Sequence, residues 1–130
     1  MDKKKVILVD DDEDLLVMLK FFFEGAGFET REFTTGNKAL TYILNTENMT
    51  GVSLIVLDRI LPDMDGLDLL EKIIEKYGNK IPVLILSVSS ADKDVILGLK
   101  KGAVDYIGKP FNHEVLMERA LSLISRVPHV

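Results

Sequence analysis

A chain of 130 residues, 47% of them apolar, suffices for one domain with its own core. It has no Cys, which excludes a disulfide framework and a thiolate metal site. The 16 basic and 21 acidic residues leave a net charge of −5, which argues against a general nucleic-acid binder, and the charged opening Met1-Asp2-Lys3-Lys4-Lys5 leads into an apolar run too short for a signal peptide or membrane span.

No boundary or linker is visible, so residues 1–130 are expected to form a single soluble, cytoplasmic unit with its core over about residues 4–125. The first apolar run, Val6-Ile7-Leu8-Val9, lacks polar alternation and suits a strand buried on both faces of a parallel sheet. Leu15, Met18, Leu19, Phe22, Phe23 and Ala26 then follow helical spacing, with Gly25 and Gly27 as the stop signal. A more polar strand nearer the sheet edge is expected over 28–33, and a short helix over about 37–44. Leu54-Ile55-Val56-Leu57 is the next buried strand, and Leu67, Leu70, Ile73, Ile74 and Tyr77 mark a helix ending at Gly78. Val83-Leu84-Ile85-Leu86 predicts a fourth strand, followed by a short helix over about 92–101 and a weaker strand over 103–107. Leu116, Ala120, Leu123 and Ile124 mark the last helix.

Strand then helix, five times over, predicts an α/β fold: a doubly wound, five-stranded parallel sheet flanked by five helices in three layers. In such folds the working residues gather at the carboxyl ends of the strands, where the strand order reverses. The first strand ends in Asp10-Asp11, the third in Asp58 and the fourth in Ser87, and the fifth leads to Lys109-Pro110. Three carboxylates, a hydroxyl and an ammonium thus converge from four distant segments. Packed acids repel one another and raise each other's pKa. A hard divalent cation relieves this, since Mg²⁺ takes oxygen ligands and keeps positions open for phosphate oxygens. Beside it an aspartate can attack phosphorus and form an acyl phosphate, with lysine and hydroxyl holding the other phosphoryl oxygens.

Each residue alone also has an ordinary reading. Asp12, Glu13 and Asp14 favour a helix N-terminus through its dipole. Asp10, Asp11 and Asp58 are acids in loops after apolar strands, Ser87 caps a strand end, and Lys109 is an exposed lysine. Tyr106 is a packed aromatic, and Gly66 permits the turn after Asp58. Joint placement favours the chemical reading.

Val9-Asp10-Asp11, the stretch Leu57-Asp58-Arg59-Ile60-Leu61-Pro62-Asp63-Met64-Asp65-Gly66, Ser87, and Gly102-Ala103-Val104-Asp105-Tyr106-Ile107-Gly108-Lys109-Pro110-Phe111 closely resemble a response-regulator receiver domain of two-component signalling. The resemblance spans about residues 4–125 and implies a flavodoxin-like fold. It implies that Asp58 is the phospho-acceptor, taking the group from a phosphohistidine on a histidine kinase or phosphotransfer protein. It further implies that Asp11, Asp58 and the Ile60 backbone carbonyl ligate Mg²⁺ (or Mn²⁺), with Asp10 acting through a metal-bound water. Lys109, before a cis proline, would pair with Asp58. Ser87 and Tyr106 would move inward together and alter the face of the fourth helix, fifth strand and fifth helix. Such a domain promotes its own phosphorylation and hydrolysis, turns over no other substrate, and passes the signal to an output domain or protein.

The sequence departs from the family pattern in places. Val88 follows Ser87 where a very small residue is usual, and a branched side chain there would narrow access to Asp58. Ile60 and Ser89 hold the two variable positions over the site, and an apolar Ile60 cannot position a water, so self-dephosphorylation is expected to be slow. Leu16, Val17 and Phe21 fall outside the apolar stripe of the first helix and read either as ordinary scattered surface apolars or, more sharply, as an exposed docking patch for a partner helix. Val95 and Val104 stand where related receivers carry charges that pair across a dimer, while Asp105, Glu114 and Arg119 of that set remain, so the sequence leaves a phosphorylation-dependent dimer open. Three rivals fit less well. A haloacid-dehalogenase-type phosphohydrolase would use an Asp-x-Asp pair, but Asp14 stands where Thr or Val should. A receiver that only binds partners would have lost the acceptor, the acid pair or the lysine. A flavodoxin would need a phosphate loop rich in Ser, Thr and Gly.

Overall fold

The computed structural model describes residues 4–126. In chain order it contains β1 (Lys5–Val9), α1 (Glu13–Gly25), β2 (Glu29–Phe33), α2 (Gly36–Leu44), a 3₁₀ turn (Thr46–Met49), β3 (Val52–Leu57), α3 (Gly66–Tyr77), β4 (Val83–Ser87), α4 (Asp92–Lys100), β5 (Asp105–Gly108) and α5 (His113–Ser125). The five strands form one sheet in the order β2-β1-β3-β4-β5, and every pairing between them is parallel. The doubly wound α/β reading is thus the observed fold.

The apolar runs become the middle of this sheet because both of their faces are covered. All six residues of β3 are buried. On one face Ile7, Val9, Ile55 and Leu57 pack with α2 and α3, chiefly through Ile43, Leu69, Leu70 and Ile73. On the other, Val6, Leu8, Leu54 and Val56 pack with α1 and α5 through Leu19, Phe23, Leu116 and Ala120. Each buried Leu or Ile contributes about 1.5–3 kcal/mol, so the two layers rather than any single contact hold the sheet.

Local signals set the helix ends. The Asp12 side chain caps α1 by accepting the Leu15 N–H at 3.1 Å, with Glu13 and Asp14 in the first turn. Asp12 to Asp14 are therefore helix-start residues, as their ordinary reading held. Gly78, at φ 62°, ends α3 in a conformation that favours glycine.

Three expectations shift. Leu16 is buried at 5% exposure and belongs to the core, because the buried stripe of α1 runs through Leu15, Leu16, Leu19 and Phe23. Ala26, placed on that stripe, is instead the exposed C-cap of the helix. The last strand begins at Asp105, not residue 103, because Gly102 (φ 117°) turns the chain and the Ala103 N–H still closes back on Gly98. Among the described residues no helix is long and apolar enough to cross a membrane.

Candidate functional site

The order of the sheet reverses at β1, which has β2 on one side and β3 on the other. Val9 and Leu57 are register partners there, so the next residue of each strand, Asp10 and Asp58, meet at one carboxyl edge. The Asp58 N–H donates to the Val9 carbonyl at 2.9 Å, and the Asp10 N–H to the Phe33 carbonyl at 3.0 Å. Asp10 and Asp58 are buried and Asp11 is exposed, and one carboxylate oxygen from each lies within 4.8 Å of the others.

Lys109 reaches this corner from the loop after β5. Its backbone N–H donates to the Ser87 carbonyl at 2.9 Å, and the Lys109–Pro110 peptide is cis. The ammonium lies 2.7 Å from Asp10 Oδ2 and 3.0 Å from Asp58 Oδ2. Asp10 Oδ1 accepts the Asp12 N–H at 2.9 Å, and Asp58 Oδ1 accepts the Ile60 N–H at 2.9 Å. Both buried carboxylates are therefore held on both oxygens, which fixes their planes. Burial raises the Asp10 pKa above its ordinary value against the opposing pull of Lys109 and the Asp12 N–H. Burial also opposes the Lys109 charge, but Asp10 and Asp58 outweigh it and hold the ammonium above its ordinary pKa.

The two remaining predicted residues sit one step away. Ser87 is fully buried at the end of β4, and its Oγ accepts the Ser89 N–H at 3.3 Å. Tyr106 is already inside the protein: it is buried, and its hydroxyl donates to the Ser89 carbonyl. The β4–α4 loop thus bonds to both residues. Val88 in that loop is 63% exposed. Ile60 is 53% exposed beside the site, with its N–H on Asp58 and a β-bridge to Asp65 closing a tight loop.

Gly66 makes that loop possible by close approach: a Cβ there would stand 2.2 Å from the Asp58 carbonyl oxygen and 2.7 Å from Arg59 Cα. Asp63, at the loop tip, accepts the N–H groups of Gly36 and Asn37 at 2.8 Å each, which ties the loop to the N-terminus of α2. These bonds hold the Asp63 carboxyl below its ordinary pKa. On the other side, the Arg59 guanidinium lies 3.1 Å from Asp94 Oδ1 on α4 and 3.9 Å from Asp65 Oδ1. Burial opposes the Arg59 charge, but Tyr106, Asp65 and Asp94 raise its pKa further. The roles of Asp63, Arg59 and Asp94 escaped the sequence reading. The available signal was a charged residue directly after a buried strand-end acid.

The model of the response regulator receiver domain matches residues 6–121. The chain belongs to this family. Regulatory protein VanRc of Enterococcus gallinarum is 37% identical over 105 residues, which cover 81% of this chain and 43% of that protein. DNA-binding response regulator MtrA of Mycobacterium tuberculosis is 34% identical over 109 residues, 84% of this chain and 45% of that protein. The chain thus spans less than half the length of either relative. Among solved structures, the receiver domain of the Francisella response regulator 1452 superposes with a TM-score of 0.84 at 34% identity, covering 96% of this chain and 99% of that one. Receiver-family membership removes the phosphohydrolase and flavodoxin readings. This chain is a receiver domain of two-component response regulators, and its acidic corner is of the kind that serves phosphorylation and Mg²⁺ binding.

Proposed function

We propose that Asp58 accepts a phosphoryl group from the phosphohistidine of a partner histidine kinase or phosphotransfer protein. A carboxylate oxygen of Asp58 forms the O–P bond as the N–P bond to histidine breaks, and the imidazole leaves. The observation that carries this reading is the charge of the corner. Three carboxylates face one ammonium, so 3 negative and 1 positive charges leave −2. An all-oxygen site of that charge fits a hard divalent cation, Mg²⁺ or Mn²⁺. Asp11, Asp58 and the Ile60 carbonyl would hold it directly, and Asp10 through a water. Bound there, the cation supplies charge neutralisation for the incoming phosphoryl oxygens. Lys109, already on Asp58 Oδ2, offers its N–H groups to those oxygens, and the buried Ser87 hydroxyl at the end of β4 adds a hydrogen bond.

The modified Asp58 biases Ser87 and Tyr106, and through them the face of α4, β5 and α5. That face speaks to an output domain or a separate protein. The domain promotes its own phosphorylation and hydrolysis and turns over no other substrate. Residues 1–130 act as one receiver unit in the cytoplasm, where such kinases present their phosphohistidine. Val17 and Phe21, at 69% and 73% exposure on α1, suit docking of a kinase helix.

Amide NMR with beryllofluoride and Mg²⁺, an acyl-phosphate stand-in, tests the acceptor. Shifts around Asp58, Ser87 and Tyr106 in the parent, absent in Asp58→Asn, are expected. A parent that binds Mg²⁺ yet does not shift would leave a receiver that only binds partners.

A further inference from the structure

Of the five helices, α4 has the fewest buried residues. Its one buried residue is Gly98, and its N-cap Ala91 has no side chain able to cap. Ile96, Leu97 and Leu99 are exposed. Beside Val95, which packs part-buried against the core, two contacts hold the helix. At Gly98 the backbone lies against Tyr106, where a Cβ would meet the ring at 2.7 Å. One turn earlier, Asp94 meets Arg59 at 3.1 Å.

Arg59 is the residue directly after Asp58, and its side chain is only 16% exposed. Its guanidinium spans Asp94 on α4 and Asp65 at the N-cap of α3, while its carbonyl accepts the Gly66 N–H at 2.6 Å. From within the acceptor loop, Arg59 thus hydrogen-bonds the start of α4 with its side chain and the start of α3 with its carbonyl, and forms a looser ion pair with Asp65. A planar guanidinium serves two acceptors in fixed directions, which a lysine ammonium does not. Partial burial makes the Asp94 pair less screened than a surface pair.

We propose that Arg59 is a positioning residue which, through Asp94, ties α4 and the Tyr106 it rests on to the acceptor loop, so that a change at Asp58 is carried to α4. The inference rests on Asp58 being the acceptor. It adds a route of coupling separate from the Ser87 hydroxyl: the backbone of residue 58 moves, Arg59 moves with it, and the ion pair pulls or frees the first turn of α4.

The test compares beryllofluoride-induced amide shifts in the parent, Asp94→Asn, Arg59→Gln and the double variant, all with Mg²⁺. In the parent, shifts are expected both at the acidic corner and along α4. In Asp94→Asn the corner shifts persist with unchanged Mg²⁺ affinity, while the α4 shifts fall about 5-fold, the low end of ordinary coupling between sites. The double variant matches Arg59→Gln, because Asp94→Asn removes nothing that the loss of the guanidinium has not already removed, and Arg59→Lys restores only part of the α4 response. Full α4 shifts in both Asp94→Asn and Arg59→Gln overturn the inference while leaving the acceptor intact. A parent silent at the corner itself overturns the acceptor reading and this inference together.

Discussion

Lys109 and Asp58 are separated by 51 residues, yet their ammonium and carboxylate lie 3.0 Å apart, with Asp10 sharing the same ammonium at 2.7 Å. One cation therefore serves two buried acids. Removing it by Lys109→Met strands both charges, and the loss should be about 2–3 kcal/mol, toward the lower end for a broken buried pair because Lys109 keeps some solvent contact. Adding Asp10→Asn should recover part of that loss, since one stranded charge disappears. Urea unfolding of the two single variants and the double one measures the recovery, and simple additivity would contradict the shared cation.

Gly66→Ala should cost about 1–3 kcal/mol or more through overpacking. Its methyl meets backbone at 2.2 Å rather than a movable side-chain tip. The relief available is displacement of the Asp58–Arg59 backbone, so beryllofluoride response should weaken along with stability. Chemical unfolding and a beryllofluoride titration on the same sample check both.

The loop is also pinned by Asp63, whose folded pKa lies below its ordinary value through the Asn37 and Gly36 N–H groups. A depressed carboxylate adds stability that is full above its unfolded pKa of about 3.9 and lost as pH falls through the lower folded value. Asp63→Asn should therefore melt below the parent at pH 7, and the gap should close on acidification. A gap of constant size from pH 7 to pH 3 would mean that the cap acts without its charge.

Ile60 stands 53% exposed over the site with an apolar side chain that can hold no water. Phospho-Asp58 should accordingly hydrolyse slowly in the isolated protein, and Ile60→Asn should shorten its lifetime. Following loss of the phosphoryl group by Phos-tag gel distinguishes the two; a half-life of seconds in the parent would defeat this view.

The central strands and the acidic corner were readable because their cause is local. Unbroken apolar runs dictate burial on both faces, and the acid at the end of each run can only emerge at the sheet edge. Gly78 and Asp12 were readable for the same reason, each ending or starting a helix by its own conformation or side chain. Leu16 was misplaced because spacing gives the width of an apolar stripe but not its rotation against a sheet. Arg59 with Asp94, 35 residues apart, and Asp63 with Gly36, 27 apart, depend on which loops the fold brings together. No spacing rule encodes such a meeting.

The order of synthesis gives the site a history. β1 and β3 are neighbours made early, and Lys109 follows the last strand. On the ribosome, the three acids can meet before the lysine that offsets part of their charge has been added. Until β5 docks, divalent cations in the medium supply the counter-charge for that corner, and Lys109 then offsets one of its three negative charges. Arrested nascent chains that stop short of Lys109 should resist protease in Mg²⁺ and succumb in its absence.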